Sequence, residues 1–380
     1  MSTLPRRRLA GFYFFYFAYI GTFAPFFSLY LEADGYDAVA IGILMSLPSV
    51  TRIVAPHLWG WLADRTSRSL YIVRVTGVAG LVCFLGVFVG SGFALLFVVL
   101  FAMTFFWSAA LPLVEAATLA HLGDDLPRYG RIRLWGSVGF IFAVVGVGYL
   151  LDAFPVRIVP WIVVATMVGM LLLCWNIPDR APRHAPSEHG LAAILKRPET
   201  IALIGAGALM SAAHGPYYTF YSLYLVDHGY SKAVTGWLWA LGVMCEIGVF
   251  LWMPHLFRRF DARRILLASF ALAVLRFLLI GWAIDSVVLL LFAQTLHAAT
   301  FGAYHAAAIS YVHRIFCGRH QARGQAVYGS LSFGLGGVIG GFASGYSWAH
   351  LGPELSYTWA AGCAAVGYVW LWWRLPARRD

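Results

Sequence analysis

The residues in this chain whose types and positions could do chemistry are charged side chains set in long apolar stretches. Arg52, Glu115, Arg133, Glu246 and Arg276 lie inside or at the start of such stretches, as do His214, His297 and His305. An ionisable group costs several kcal/mol inside a bilayer, so it normally faces a water-filled cavity or a partner. There it can pair with an opposite charge, hold a polar or anionic solute, or carry a proton. Catalysis is not indicated: the sequence holds no phosphate-binding loop, no nucleophile–base pair and no metal-ligand spacing. Its five cysteines (Cys83, Cys174, Cys245, Cys317 and Cys363) are scattered without a CxxC. In apolar runs such residues act as small hydrophobes.

The charges have a direction. Three arginines stand against two glutamates among the five, leaving one positive charge unmatched if the histidines are neutral. An uncompensated buried charge is costly, and a carboxylate substrate would complete the set. His297 and His305 are eight residues apart, roughly 80° around a helix, close enough to share one broad face. The simpler alternative for each group is a satisfied packing pair or a side chain snorkelling to the interface. Arg74, near the end of its run, is read that way.

The elements that position these groups follow from composition. Of 380 residues, 61% are hydrophobic and only 12% charged, against about 25% charged in soluble domains. Mean hydropathy is +0.74. This excludes a soluble enzyme or a nucleic-acid-binding domain. Apolar runs fall near 9–31, 38–63, 70–90, 93–120, 132–151, 156–177, 200–226, 233–257, 264–284, 287–313, 322–348 and 355–374. Each is near the ~20 residues that cross a bilayer. The first follows Arg6, Arg7 and Arg8 as a signal peptide would, but its length and aromatic content mark a retained span.

Basic residues sort to one set of alternate ends: Arg65, Arg68, Arg128, Arg131, Arg180, Arg183, Lys196, Arg197, Arg258, Arg259, Arg263, Arg264, Arg314, Arg319, Arg323, Arg374, Arg378 and Arg379. The opposite loops hold only Arg157 and Lys232, among the acids Glu32, Asp34, Asp37, Asp152, Asp227, Asp285 and Glu354. The positive-inside rule then places both termini in the cytoplasm. The net charge of +10 is mainly this basic rim rather than a nucleic-acid surface.

The halves repeat. Ser28-Leu-Tyr-Leu-x3-Gly-Tyr36 recurs as Ser222-Leu-Tyr-Leu-x3-Gly-Tyr230, an offset of 194 residues. Gly42, Leu44, Leu47 and Ile53 then match Gly236, Leu238, Leu241 and Ile247, and Arg52 falls on Glu246. Parallel duplication of six spans is an organisation of secondary transporters, with the substrate near the midplane between halves. The long loop from Pro178 to Glu199 reads as the interdomain linker, with a short surface helix beginning at Leu191. Aromatic side chains crowd the first span of each half. A glycine ladder in span 11 (Gly336, Gly337, Gly340, Gly341 and Gly345) permits close helix packing.

Gly60-Trp-Leu-Ala-Asp64-Arg65-Thr-Ser-Arg68 resembles the loop signature of the major facilitator superfamily, with Ser67 where the signature has Gly. The resemblance implies a gating role for Asp64, Arg65 and Arg68. Over essentially its whole length the chain is similar to the lactose-permease-like proton symporters, and most of all to the phenylpropionate permease group. Val114-Glu115-Ala116, with Arg133 in Gly-Arg-Ile-Arg-Leu-Trp-Gly-Ser-Val-Gly-Phe140, resembles the sugar permease's substrate-binding Glu–Arg pair. Phe140 stands where that permease has a ring-stacking Trp. Glu246, Arg276 and His297 resemble its coupling residues. Thr300 and Gln294 replace the family's proton-carrying Glu and its Lys. Any proton carrier here is therefore Glu246, Glu115 or a His. Arg52, a feature shared with the phenylpropionate group, joins Glu115, Arg133 and Phe140 as substrate-binding candidates.

The expected fold is an all-α membrane protein of twelve transmembrane helices in two pseudo-symmetric halves, residues 1–177 and 200–380, joined by a cytoplasmic linker at 178–199. The expected activity is that of a proton symporter in the cytoplasmic (inner) membrane, importing an aromatic carboxylate such as 3-phenylpropionate. A carbohydrate or nucleoside symporter and a metabolite exporter are the alternatives. The expected partners are the small-molecule substrate, protons and the lipid bilayer, for a monomer with no cofactor, metal or nucleic acid.

Overall fold

A computed structural model of the protein describes residues 5–123, 125, 127–179, 191–316 and 321–375. Half of the expected linker, 180–190, lies outside these residues, as do Cys317 and the basic residues Arg180, Arg183, Arg319, Arg378 and Arg379. Every regular element described is helical. Among the described residues ten helical stretches, three of them running through a break or a π segment, are long and apolar enough to cross a membrane, and large apolar side chains such as Phe142, Leu251 and Val288 stand exposed along them. The protein is a multi-pass membrane protein.

The first half runs through α1 (Arg6–Ala33), α2 (Ala38–Thr66), α3 (Ser69–Phe84), α4 (Phe93–Trp107), α5 (Ala110–Leu122), α6 (Pro127–Ala153) and α7 (Val159–Trp175). A short α8 (Leu191–Leu195) follows, the surface helix expected from the sequence. The second half comprises α9 (Pro198–Ala213), α10 (Gly215–Asp227), α11 (Lys232–Arg259), α12 (Ala262–Trp282), α13 (Val287–Thr295), α14 (Tyr304–Ile315), α15 (Gln321–Tyr328), α16 (Gly336–Leu351) and α17 (Pro353–Arg374). The α9–α10 pair and α17 occupy the two remaining expected spans.

Four expected spans are broken rather than continuous, and proline explains two of the breaks. Pro112 has no N–H for the Ser108 carbonyl and Pro216 none for that of Ala212. The helices accordingly stop at Trp107 and Ala213 and restart at Ala110 and Gly215. At the first break the Phe105 carbonyl accepts instead from Ser108 Oγ at 2.8 Å and Trp59 Nε1 at 2.9 Å. The other two breaks are π-helical segments, Ala298–Ala303 between α13 and α14 and Gly329–Leu335 between α15 and α16.

The repeat is visible in contacts as well as letters. Gly35 and Gly229 end α1 and α10 with φ of 93° and 81°, the left-handed region that glycine enters without a Cβ clash. Each is followed by a tyrosine whose N–H closes the last turn: Tyr36 to the Leu31 carbonyl at 3.1 Å, Tyr230 to that of Leu225 at 3.0 Å. Their hydroxyls reach equivalent hairpins, Tyr36 to the Ser91 carbonyl and Tyr230 to that of Ile284. The halves are pseudo-symmetric.

Two compact units emerge. One contains Met1–Tyr36, Val54–His184 and Ser231–Trp237, the other Asp37–Ile53, Ala185–Tyr230 and Leu238–Asp380. In the first, Arg74 donates from α3 to the Cys174 and Ile177 carbonyls at the end of α7, and Asp179 returns the favour by accepting from the Leu70 and Tyr71 amides at 3.0 Å each. In the second, Arg263 of α12 donates to the Trp372 and Leu375 carbonyls at the end of α17, at 2.8 and 2.5 Å. Arg74 is thus the satisfied packing partner that the simpler reading allowed. It satisfies carbonyls that a helix end leaves open.

Candidate functional site

In the first unit the expected Glu–Arg pair forms. Arg133 Nε lies 3.4 Å from Glu115 Oε1, with about a third of each side chain exposed (31% and 34%). The break before α5 and the start of α6 bring the two together. The guanidinium stacks 4.1 Å from the Phe17 ring centroid and 5.6 Å from that of Tyr13, while Tyr13 bonds Thr118 at 3.2 Å. Phe140, seven residues after Arg133, shares its face of α6. Its ring is buried against α1, where a Cβ on Gly21 would meet Phe140 Cδ2 at 3.3 Å. The aromatic residues of α1 that build this site were visible in sequence only as part of a crowd.

The second unit holds a denser cluster. Arg276 of α12 is fully buried, 0% exposed. Its Nη1 donates to Thr300 Oγ1 at 3.2 Å and to His214 Nε2 at 3.5 Å. The acceptor role of Nε2 follows because His214 Nδ1 sits 2.8 Å from the Met210 carbonyl, and a carbonyl oxygen only accepts. The guanidinium stacks 4.2 Å from the Tyr217 ring centroid. It forms no ion pair among the described residues, and its Nε and Nη2 have no hydrogen-bond partner there.

Glu246 of α11 approaches His297, Oε2 to Nε2 at 3.8 Å, with 18% of the Glu246 side chain exposed. The π segment after His297 makes room for it: a Cβ on Gly302 would lie 3.1 Å from Glu246 Cγ. Gln294 Oε1 accepts from Tyr217 at 3.2 Å. His297, Phe301 and His305 form a ladder of near-parallel rings, 5.4 Å and 6.3 Å apart at 12° and 9°. The two histidines do share a face.

Arg52 is exposed on α2, and its carbonyl accepts from Ser330 Oγ at 3.4 Å, tying α2 to the second π segment. A direct Arg52–Glu246 pair is not among the ion pairs of the described residues. Asp64, Arg65 and Arg68 are all exposed around the turn from α2 to α3, with Arg65 stacked 5.5 Å from the Trp61 ring. Ser67 within that turn has φ of 54°. That positive φ explains why the signature has glycine at this position.

A small pocket opens beside the Arg276 cluster, its walls including His214, Tyr218, Thr300, Phe301, His305 and Phe333. The α9–α10 break and both π segments contribute to it. Sequence periodicity gave no sign of it, because a π insertion changes register without changing composition.

Comparison with known proteins agrees with this architecture. The "Probable 3-phenylpropionic acid transporter" of Escherichia coli (strain K12) is 31% identical over 358 residues, covering 93% of this chain and 94% of that protein. The maltose permease of Geobacillus stearothermophilus is 29% identical, covering 97% and 94%. A crystal structure of the nucleoside transporter NupG superposes with a TM-score of 0.83 at 17% identity, over 98% of this chain and 100% of that one. These are transporters of the major facilitator type, not enzymes. Residues 6–359 match the MFS_1 like family, and the chain belongs to it.

Proposed function

We propose that this transporter is a proton symporter that imports an aromatic carboxylate such as 3-phenylpropionate across the cytoplasmic membrane. The observation that carries the reading is Arg276, a buried guanidinium ringed by aromatic side chains and without an ion pair among the described residues. A charge in that position is costly until an anion joins it. The relative named for 3-phenylpropionic acid supports the same substrate class. In this reading residues 1–177 and 200–380 are the two moving halves, linked by 178–199, with both termini cytoplasmic and the protein a monomer. Arg52, Glu115, Arg133 and Phe140 contribute to the substrate site, and Asp64, Arg65 and Arg68 to the gate. Glu246, 3.8 Å from His297, is the proton carrier.

Uptake of labelled 3-phenylpropionate into proteoliposomes tests this. Uptake should require an inward proton gradient and vanish in Glu246→Gln. Equilibration by the unmutated protein that ignores the gradient overturns the coupling.

A second reading rests on a different observation. The Glu115–Arg133 pair is one-third exposed and presents an acceptor and a donor side by side, an arrangement suited to sugar or nucleoside hydroxyls. Competition separates the two: a neutral glycoside or nucleoside that blocks binding where no aromatic acid does would establish the second.

A further inference from the structure

The pocket beside Arg276 deserves an assignment of its own, because three departures from α-helix meet there. The α9–α10 break supplies His214, the first π segment supplies Thr300 and Phe301, and the second supplies Phe333. π insertions are rare and recur at functional sites. Ring faces dominate the walls. Tyr218 stacks on His214 at 5.7 Å, Phe301 on His305 at 6.3 Å, and His305 lies 6.0 Å from Phe333.

The charge is equally specific. Thr300 and His214, both on the wall, are the two groups to which Arg276 Nη1 donates. The guanidinium therefore stands immediately behind the wall, with Nε and Nη2 unpartnered among the described residues.

We infer that this pocket, contained wholly within the second unit, is the subsite that selects aromatic monocarboxylates. The Thr300 hydroxyl, which donates to the His297 carbonyl at a long 3.5 Å, turns to donate to the carboxylate in the field of Arg276, and the ring lies among Tyr218, Phe301 and Phe333. Thr300 is then a specificity-determining residue: a hydroxyl leaves the arginine's charge for the substrate, whereas an acid there would neutralise it. The inference rests on the substrate class proposed above.

Binding of 3-phenylpropionate and of its neutral amide, 3-phenylpropanamide, is measured by calorimetry on purified protein carrying Thr300→Glu, Thr300→Gln or Phe333→Ala. Thr300→Glu should raise Kd for the acid about tenfold or more and leave the amide within about twofold. Thr300→Gln, of the same size but uncharged, should weaken the acid much less, and Phe333→Ala should weaken both ligands together. Equal losses for Thr300→Glu and Thr300→Gln, or an unchanged Kd in Thr300→Glu and Phe333→Ala, would overturn the subsite while leaving the substrate class standing. Failure of the native protein to bind the acid, with a sugar or nucleoside bound instead, would overturn the substrate class and the subsite with it. Native thermal unfolding in Phe333→Ala keeps the result interpretable if Thr300→Glu does not fold.

Discussion

Thr300 Oγ1 lies 3.2 Å from Nη1 of Arg276, so that a hydroxyl rather than a carboxylate meets a fully buried guanidinium. Removing the hydroxyl while keeping the shape exposes what the contact contributes. Thr300→Val should destabilise the protein by about 1–3 kcal/mol, because a charged donor loses its acceptor in a dry site. Thr300→Ser should retain most of the stability. Thermal unfolding in detergent measures both, and equal midpoints for the two variants would rule the bond out as a stabilising one.

Ser67 stands at φ of 54° in the turn between α2 and α3. A left-handed conformation costs an L-residue roughly 1–2 kcal/mol, part of which glycine returns through its larger unfolded-state entropy. Ser67→Gly should therefore gain up to about 1 kcal/mol, and Ser67→Val should lose more than that because a β-branched residue fits the region worst. Midpoints that fall in Ser67→Gly would contradict the strain argument.

Asp152 of α6 accepts from the first amides of α11, Lys232 N at 2.8 Å and Ala233 N at 3.1 Å. At the equivalent position in the first half, α2 is capped by its own Asp37, through Ala40 N at 2.8 Å. Asp152→Ala should cost about 1 kcal/mol, as loss of a helix cap does. Amide exchange at 232–233 should quicken severalfold while α2 exchanges as before. Unchanged exchange at those two amides would show that the cap is not what holds the end of α11.

Arg74 and Arg263 close the final helices of the two halves, α7 and α17. Replacing either with Met keeps an apolar stem and removes the donors, at a cost of about 1.5–3 kcal/mol for hydrogen bonds from a charged group. The double variant should lose close to the sum, since the two sites share no partner. A single variant with native stability would mean that water serves those carbonyls as well as the arginine does.

Much of this protein was legible in sequence because bilayer physics writes itself into composition. A span must be long and apolar, since lipid offers no partner to the backbone. The twelve runs, the 194-residue repeat and the short helix at Leu191 could be read on that ground. So could the ionisable groups that matter, for a charge in an apolar run is conspicuous. Glu115, Arg133, Glu246 and His297 were conspicuous by type, while their pairing and roles came from the family resemblance; Glu115 lies beside Arg133 and Glu246 beside His297.

What sequence could not decide is how each span bends and which rings face a site. The breaks at Ser108 and His214 follow from prolines, yet the π segments after His297 and Tyr328 carry no letter that announces them. They arise where Gly302 and its neighbours let packed helices reset their register. Nor could the eleven aromatics of α1 reveal that Phe17 would lie over Arg133 while Phe12 packed in the core. Hydropathy is a property of single residues summed along the chain, so it determined where the membrane is. The direction a side chain points depends on contacts between distant segments, so only the tertiary structure placed Thr300 and His214 on one pocket wall with Arg276 behind them.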